Sequence, residues 1–197
     1  MPRFTKMEFP GLYREFIDSG YLGSLDGMRH LNAYEEGREE GRLNYWSVLE
    51  ARERGKDVTD LVLLKLLPHN DTAGNRERGA WIHIAPAIRG NVKRWFEGAR
   101  WTRAEDWPSI ADAILRFLQR CNEDPEQLFE ACSEFAQLPY VKGFQTGMLT
   151  PILNALRPED YLLINYKPRQ TINYFSGNPM DSTSRTTLGS TSRDAAS

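Results

Sequence analysis

Apolar residues recur along most of this chain at the three- and four-residue spacing of amphipathic helices. The clearest stripe runs over 107–121, and a second follows over 128–135. The same pattern predicts further helices at 12–17, 28–54, 58–67, 86–96, 147–156 and 169–175. One short run, Trp81–Pro86, has the character of a strand. The expected fold is mainly α, a single compact multi-helix domain with at most a short strand element.

Residues at the ends of the two clearest stripes predict where those helices begin. Thr102 and Glu105 have the spacing of a capping box. Asp124 followed by Pro125 reads as an N-cap with proline at the first helical position. The two cysteines, Cys121 and Cys132, fall on the stripes themselves. We therefore predict that both are small core residues rather than nucleophiles or ligands.

The character of the chain changes after Gly177. Eight of the eleven residues 182–192 are Ser or Thr, and no apolar period remains there. Such a composition is typical of disorder. We divide the chain into an N-terminal helical segment (1–54), a helical domain (55–177) and a Ser/Thr-rich disordered tail (178–197).

The overall charge is nearly balanced, but it is unevenly distributed. The 197 residues include 25 Lys and Arg and 27 Asp and Glu, a net charge of −2. This excludes a protein that coats nucleic acid by bulk charge. However, residues 76–103 carry a net charge of +5, and residues 104–139 carry −6. We call these stretches the basic segment and the acidic segment.

Hydropathy and cysteine usage bear on where the protein acts. No apolar run approaches the roughly 18 residues that span a bilayer, and the N-terminus lacks the apolar core of a secretory signal. Two cysteines do not provide a disulfide framework for a chain of this size. We therefore expect a cytoplasmic protein without a membrane partner.

The basic segment also contains aromatic residues, namely Trp81, Trp95, Phe96 and Trp101. Cations that neutralise phosphates, interleaved with flat rings that stack on bases, are typical of a nucleic-acid surface. Trp95 or Trp101 would stack on an exposed base if its ring faces solvent. The alternative is that the tryptophans belong to the core and the arginines are their solvated neighbours. The sequence leaves both interpretations open.

Motifs that carry chemistry are absent from the sequence. It has no Walker A motif, no dinucleotide fingerprint, no G-x-S-x-G, no H-E-x-x-H and no Cys/His set for zinc. We therefore expect a protein that is not an enzyme, with no catalytic residues, metal ligands or cofactor. Glutamates 35, 36, 39 and 40 alternate with Arg38 and Arg42, which favours a solvated, salt-bridged face over a metal site. If the protein were an enzyme, its active site would have to be assembled from dispersed residues. The one candidate set consists of His69, Asp71, Glu77 and His83.

Four runs of the sequence resemble a known family. The runs 63–69, 81–88, 143–158 and 162–165 are similar to the N-terminal regions of McrB-like AAA-family ATPases, which belong to modification-dependent restriction systems. The similarity extends over residues 55–177 and is strongest in its last part. It implies a non-catalytic target-recognition domain that binds DNA, plain or modified, and passes it to an AAA motor or a nuclease. Because no Walker motif is present, we expect no ATPase or GTPase activity here. We expect a truncated, frameshifted or stand-alone version of such a module.

Residues 157–170 suggest a second basic region, in which two turns carry Arg157, Lys167 and Arg169 close to helix ends. Asn165 in these turns would either read a base edge or cap the following turn. The predicted DNA-binding residues of the two regions are Arg76, Arg78, Arg89, Lys93, Arg94, Arg100, Arg103, Lys142, Arg157, Lys167 and Arg169.

Two other hypotheses for the function remain. A protein–protein adaptor would use the basic and acidic segments to bind a partner, and pairing of the two segments within one fold would remove the basic face. A truncated remnant would have no independent activity.

Overall fold

The computed structural model describes residues 8–67, 92–144 and 146–164, together with Gln170 and Asn173. The described residues form helices and contain no β-strand, which confirms the predicted mainly α fold. The α-helices are α1 (Phe9–Asp18), α2 (Leu25–Glu53), α3 (Thr59–Leu61), α4 (Val92–Gly98), α5 (Trp107–Glu123), α6 (Leu128–Phe135) and α7 (Thr146–Leu156). The predicted strand at 81–86, the loop histidines and carboxylates at 69–83, Asn165 and the tail at 178–197 lie outside the described residues.

Helix α5 is the centre of the core. Its buried residues follow the predicted stripe and are Trp107, Ile110, Ala111, Ala113, Ile114, Leu115, Phe117, Leu118 and Cys121. Helices α6 and α7 and the segment around α3 all pack against it. Cys132 on α6 is buried in the same core, so both cysteines are core residues, as predicted.

Helix α2 begins three residues earlier than the pattern suggests. The hydroxyl of Ser24 accepts a hydrogen bond from the Gly27 N–H at 3.1 Å, which makes Ser24 the N-cap. On the polar face, Arg38 pairs with Glu35, and Arg42 pairs with Glu39 at 2.8 Å. These i,i+3 pairs confirm the predicted salt-bridged face.

The predicted buried helix at 58–67 is regular only at its start. After α3, residues Val62–Leu66 form a π-helical turn, and the Leu67 N–H reaches back five residues to the Val62 carbonyl at 3.1 Å. The wider turn accompanies an unusually apolar sequence. Val62, Leu63, Leu66 and Leu67 are all buried, and their i, i+1, i+4, i+5 spacing places them on one face, while Lys65 is exposed.

One predicted helix start is right and the other is wrong. The carboxylate of Asp124 accepts from the Glu126 N–H at 3.0 Å, directly ahead of the turn that leads into α6. The capping box of Thr102 and Glu105 does not form. Asp106 accepts from the Arg103 N–H at 3.1 Å instead, because Thr102 is buried and points inward.

Helices α2 and α7 cross at close range. A Cβ added to Gly41 would lie 3.1 Å from the Cβ of Ala155, so small residues allow the approach. Next to the crossing, the Tyr34 hydroxyl donates to Asn154 Oδ1 at 2.9 Å, and Asn154 Nδ2 donates to the Tyr161 carbonyl at 2.6 Å. Asn154 therefore joins both helices to the segment that follows α7.

Helix α1 differs from the others because none of its residues is buried. It joins α2 through a single turn of 3₁₀ helix, Tyr21–Gly23, which lies against the first turn of α2. A Cβ on Gly27 would lie 2.0 Å from the Tyr21 carbonyl oxygen, so glycine is needed for this contact. We call α1, this turn and the first turns of α2 the arm.

Candidate nucleic-acid interface

Six of the eleven predicted DNA-binding cations lie among the described residues. Arg76, Arg78, Arg89, Lys167 and Arg169 lie outside them. The six that are described are Lys93, Arg94, Arg100, Arg103, Lys142 and Arg157.

Three of these six cations have carboxylate partners inside the fold. Lys93 Nζ lies 2.5 Å from the Asp60 carboxylate. Arg103 pairs with Asp106, as well as with Glu105 at 3.3 Å. The half-buried Arg157 pairs with Asp160 at 2.6 Å and donates to the Asn122 carbonyl near the end of α5 at 3.0 Å. Their charges are therefore partly matched within the protein.

Arg100 occupies an unusual backbone position at the end of α4. Its N–H bonds to the Glu97 carbonyl at 2.9 Å, and the next N–H, of Trp101, bonds to the Phe96 carbonyl at 3.1 Å. This is the Schellman arrangement, in which the residue after the cap adopts a left-handed conformation that glycine usually supplies. Arg100 adopts it with φ 55°, the one described non-glycine residue with positive φ. Its side chain is exposed.

Lys142 lies at the tip of a tight turn. The Phe144 N–H donates to the Val141 carbonyl at 3.1 Å, and Gly143 has φ 94°. A glycine with positive φ at the third position is typical of a type II turn, whose second position, here Lys142, points outward. The lysine is exposed, and it forms no ion pair with another described residue.

A contact between Trp101 and Gly143 brings Arg100 and Lys142 to the same end of the fold. A Cβ on Gly143 would lie 2.2 Å from Cε3 of the indole, so the ring rests directly on the glycine backbone. Arg100 and Lys142 are the residues immediately before the two in contact. The structure thus brings together the two backbone segments, distant in sequence, on which these exposed cations lie.

The tryptophans of this end are packed together rather than presented as open platforms. Trp95 and Trp101 meet edge to face with centroids 5.1 Å apart, and both are only partly exposed. Phe96, which contacts both rings, is fully buried. For these two residues the structure favours the core interpretation, with part of each ring left at the surface.

Thr102 adds an unusual polar group beneath this surface. The residue is 5% exposed, and its hydroxyl oxygen has no hydrogen-bond partner within the described part of the chain. An unpaired buried hydroxyl costs free energy, which sets Thr102 apart from the other buried polar side chains of the described residues.

Replacing Arg100 with glycine should stabilise the protein. Glycine adopts the left-handed conformation without the Cβ penalty, so we expect the free energy of unfolding to rise by about 0.5–1 kcal/mol. Arg100→Ala is the matched control, since alanine removes the same charge and retains the penalty. Urea unfolding of both variants measures the difference, and equal stabilities would contradict the strain at this position.

Part of the acidic segment is also engaged in ion pairs within the fold. Asp112 accepts from Arg52 at 2.6 Å and pairs with Arg116 at 2.8 Å. Arg120 pairs with Glu134 at 2.6 Å across the groove between α5 and α6. The partners of these carboxylates come from α2 and from the acidic segment itself, not from the basic segment. Among the residues that the structure describes, Arg103 of the basic segment pairs with Glu105 and Asp106 of the acidic segment.

The two cysteines are buried and poorly suited to act as nucleophiles. Burial raises the pKa of the Cys121 thiol to about 12 and also raises that of Cys132, which keeps both thiols protonated and unreactive. No group of three His, Cys, Asp or Glu side chains there is arranged to hold a metal ion. No described helix has an apolar stretch long enough to cross a bilayer.

Comparison with known proteins gives no neighbour. No protein-family model, curated protein or solved structure matches the chain.

Proposed function

We propose that this protein is a non-catalytic DNA-binding module and that Arg100 and Lys142 are its central phosphate contacts. The observation that carries the proposal is the Trp101–Gly143 contact, which joins the two backbone segments on which these exposed cations lie. The resemblance to the N-terminal regions of McrB-like restriction ATPases supports the same function. On that basis the module would act in the cytoplasm and present plain or modified DNA to an AAA motor or a nuclease.

The backbone around the two cations suits a phosphate site. Lys142 extends from the outer corner of a turn whose conformation is fixed by Gly143. Arg100 extends from a capped helix end, so its backbone is fixed as well. Cations on rigid backbone lose less conformational freedom when they bind, and arginine matches phosphate with two parallel hydrogen bonds.

The strain at Arg100 supports a binding role. Glycine would satisfy the same turn at lower cost, yet the chain has the residue with the largest cationic side chain there. Strained backbone positions cluster at functional sites, where the side chain rather than the fold requires the residue. Arg94, exposed on the adjacent helix α4, would extend the surface along the DNA backbone.

The proposal is tested by fluorescence-anisotropy titration of single-stranded and duplex DNA, plain and methylated, at about 50 and 200 mM salt. We expect binding that weakens steeply with salt. Arg100→Gly and Lys142→Ala should each weaken binding at low salt by about tenfold and lower the salt slope by about one. A preference for the methylated probe would support the restriction link.

Lys56→Ala is the matched control, because Lys56 is also an exposed lysine in a turn next to a positive-φ glycine, Gly55. It should bind DNA as the unchanged protein does. Arg100→Gly carries its own control, since we expect it to be more stable, so weaker binding cannot be attributed to unfolding. Flat titrations at low salt, or equal losses from Lys56→Ala, would overturn the proposal in favour of an adaptor or a remnant without independent activity.

A further inference from the structure

Helix α1 is too short and too exposed to be stable alone. It has ten residues, none of them buried. Isolated helices below about 12–15 residues are marginal in water, and most helices in proteins are stabilised by packing of an apolar face. α1 has such a face, formed by Phe9, Tyr13, Phe16 and Ile17 at i, i+4, i+7 and i+8, but all four side chains are at least 41% exposed.

A second uncovered apolar stripe lies at the start of α2. Leu25, Met28 and Leu31 are 89%, 50% and 45% exposed. Tyr21 lies between the two stripes, with its ring 5.8 Å from that of Phe16 and its hydroxyl 2.7 Å from His30 Nδ1. The arm therefore has two apolar stripes that are joined at one end and do not cover each other.

We propose that the arm is a dimerisation surface whose occupant is a second copy of this chain. α1 of each copy would pack on the Leu25–Leu31 stripe of the other, forming a two-fold symmetric bundle of four helical segments. One chain has both halves of this contact, so a reciprocal arrangement covers both stripes at once and leaves neither open for further copies.

The exposed area is close to what a stable dimer requires. Aromatic side chains have about 150–250 Å² to bury, so the eight exposed side chains of the arm offer on the order of 700 Å² per copy. Standard interfaces bury about 800 Å² per partner. The area also exceeds the largest apolar patch of a typical monomer, about 300–600 Å².

The charges of the arm disfavour DNA and anionic membranes as occupants. The polar side of α1 has Arg14 against Glu15 and Asp18, with Glu8 just before it. Helices that bind phosphates or anionic lipid surfaces are rich in Lys and Arg. At the start of α2, Asp26 and Arg29 pair with each other at 3.4 Å, so that stripe is flanked by balanced charge.

The first test is the mass of the full chain in solution by sedimentation equilibrium. We expect a concentration-dependent mass that approaches twice the 22.7 kDa of one chain. Tyr13→Glu and Met28→Glu, one on each stripe, should each weaken dimerisation at least about 30-fold, since each places a charge in the apolar interface. The matched control is Phe129→Glu, which changes a 60% exposed aromatic on α6 and should leave the dimer intact.

Disulfide cross-linking then tests which surfaces meet. Tyr13→Cys and Met28→Cys are prepared as separate proteins, mixed and oxidised. Because Cys121 and Cys132 are buried, the introduced thiols are the ones that react. We expect the mixed disulfide to form much faster than either homodimer disulfide.

The inference is overturned if the protein remains a monomer up to about 100 μM, because the dissociation constant of the dimer would then be about 1 mM or weaker. It is equally overturned by an unchanged dimer in Tyr13→Glu and Met28→Glu, or by preferential cross-linking of Tyr13→Cys to itself. DNA binding is measured independently, so failure here leaves the proposed function standing.

Discussion

Gly143→Ala should destabilise the protein by about 3 kcal/mol or more. Two penalties combine at this position. The new Cβ would lie 2.2 Å and 2.5 Å from two atoms of the Trp101 ring and 3.0 Å from Phe96. Alanine would also have to adopt φ 94°, a conformation that residues with a side chain rarely occupy. Trp101 and Phe96 are packed against neighbouring rings, so moving either ring aside would cost packing free energy.

Urea unfolding measures this effect, and Gly98→Ala is the matched control. Gly98 ends helix α4 a few residues from the same aromatic cluster, but a Cβ there meets no atom within 4 Å. Its replacement should change the free energy of unfolding by less than about 1 kcal/mol. Equal effects of the two substitutions would show that the Trp101 ring does not rest on Gly143.

Raising the pH should destabilise the protein steeply. Burial raises the pKa of Cys121 and Tyr45 to about 12 and also raises the pKa of Cys132 and Tyr161. In the unfolded chain the thiols and phenols release protons near their ordinary pKa values of 9.0 and 10.0. The stability that they contribute is therefore complete below about pH 8.5 and is lost as the pH rises toward the folded-state pKa values.

The expected loss is about 5 kcal/mol between pH 8.5 and 10.5, since each buried group contributes up to about 1.4 kcal/mol per pH unit. This is comparable with the whole stability of a small domain, about 5–15 kcal/mol. Urea unfolding at three alkaline pH values measures it. In the double variant Cys121→Ala and Cys132→Ala, the absolute stability should be lower but the dependence on pH should be flatter by about two thirds. An unchanged slope would show that the two thiols ionise in the folded protein.

Features that depend on neighbouring residues were readable from the sequence. The stripe of α5 and the N-cap at Asp124 follow from local spacing, and both are found. The Arg157–Asp160 and Arg103–Asp106 pairs have an i,i+3 spacing. This spacing indicates from the sequence alone that both arginines can form ion pairs within the fold. The apolar positions of α1 have helical spacing as well, although the prediction began this helix at residue 12.

Features that depend on distant contacts were not readable. Lys93 pairs with Asp60, and the segment after Arg100 contacts the turn that carries Lys142, because of how α4 packs in the folded chain. The failed cap at Thr102 has the same origin, since the residue is buried and a neighbouring carboxylate takes over. Spacing along the sequence identifies a basic segment, but only packing decides which of its cations remain available.

The packing of α2 on α7 has a consequence for how the chain folds during synthesis. The two helices are the most extensively packed pair in the described structure, yet about a hundred residues separate them in sequence. At roughly 5–20 residues per second, α2 waits on the order of 5–20 s outside the ribosome before its partner is made. During that interval Tyr34 and Gly41 of α2 lack their neighbours Asn154 and Ala155 on α7. The salt-bridged face of α2 suits a helix that is still exposed to water, and the packing of α2 on α7 can form only after α7 has emerged.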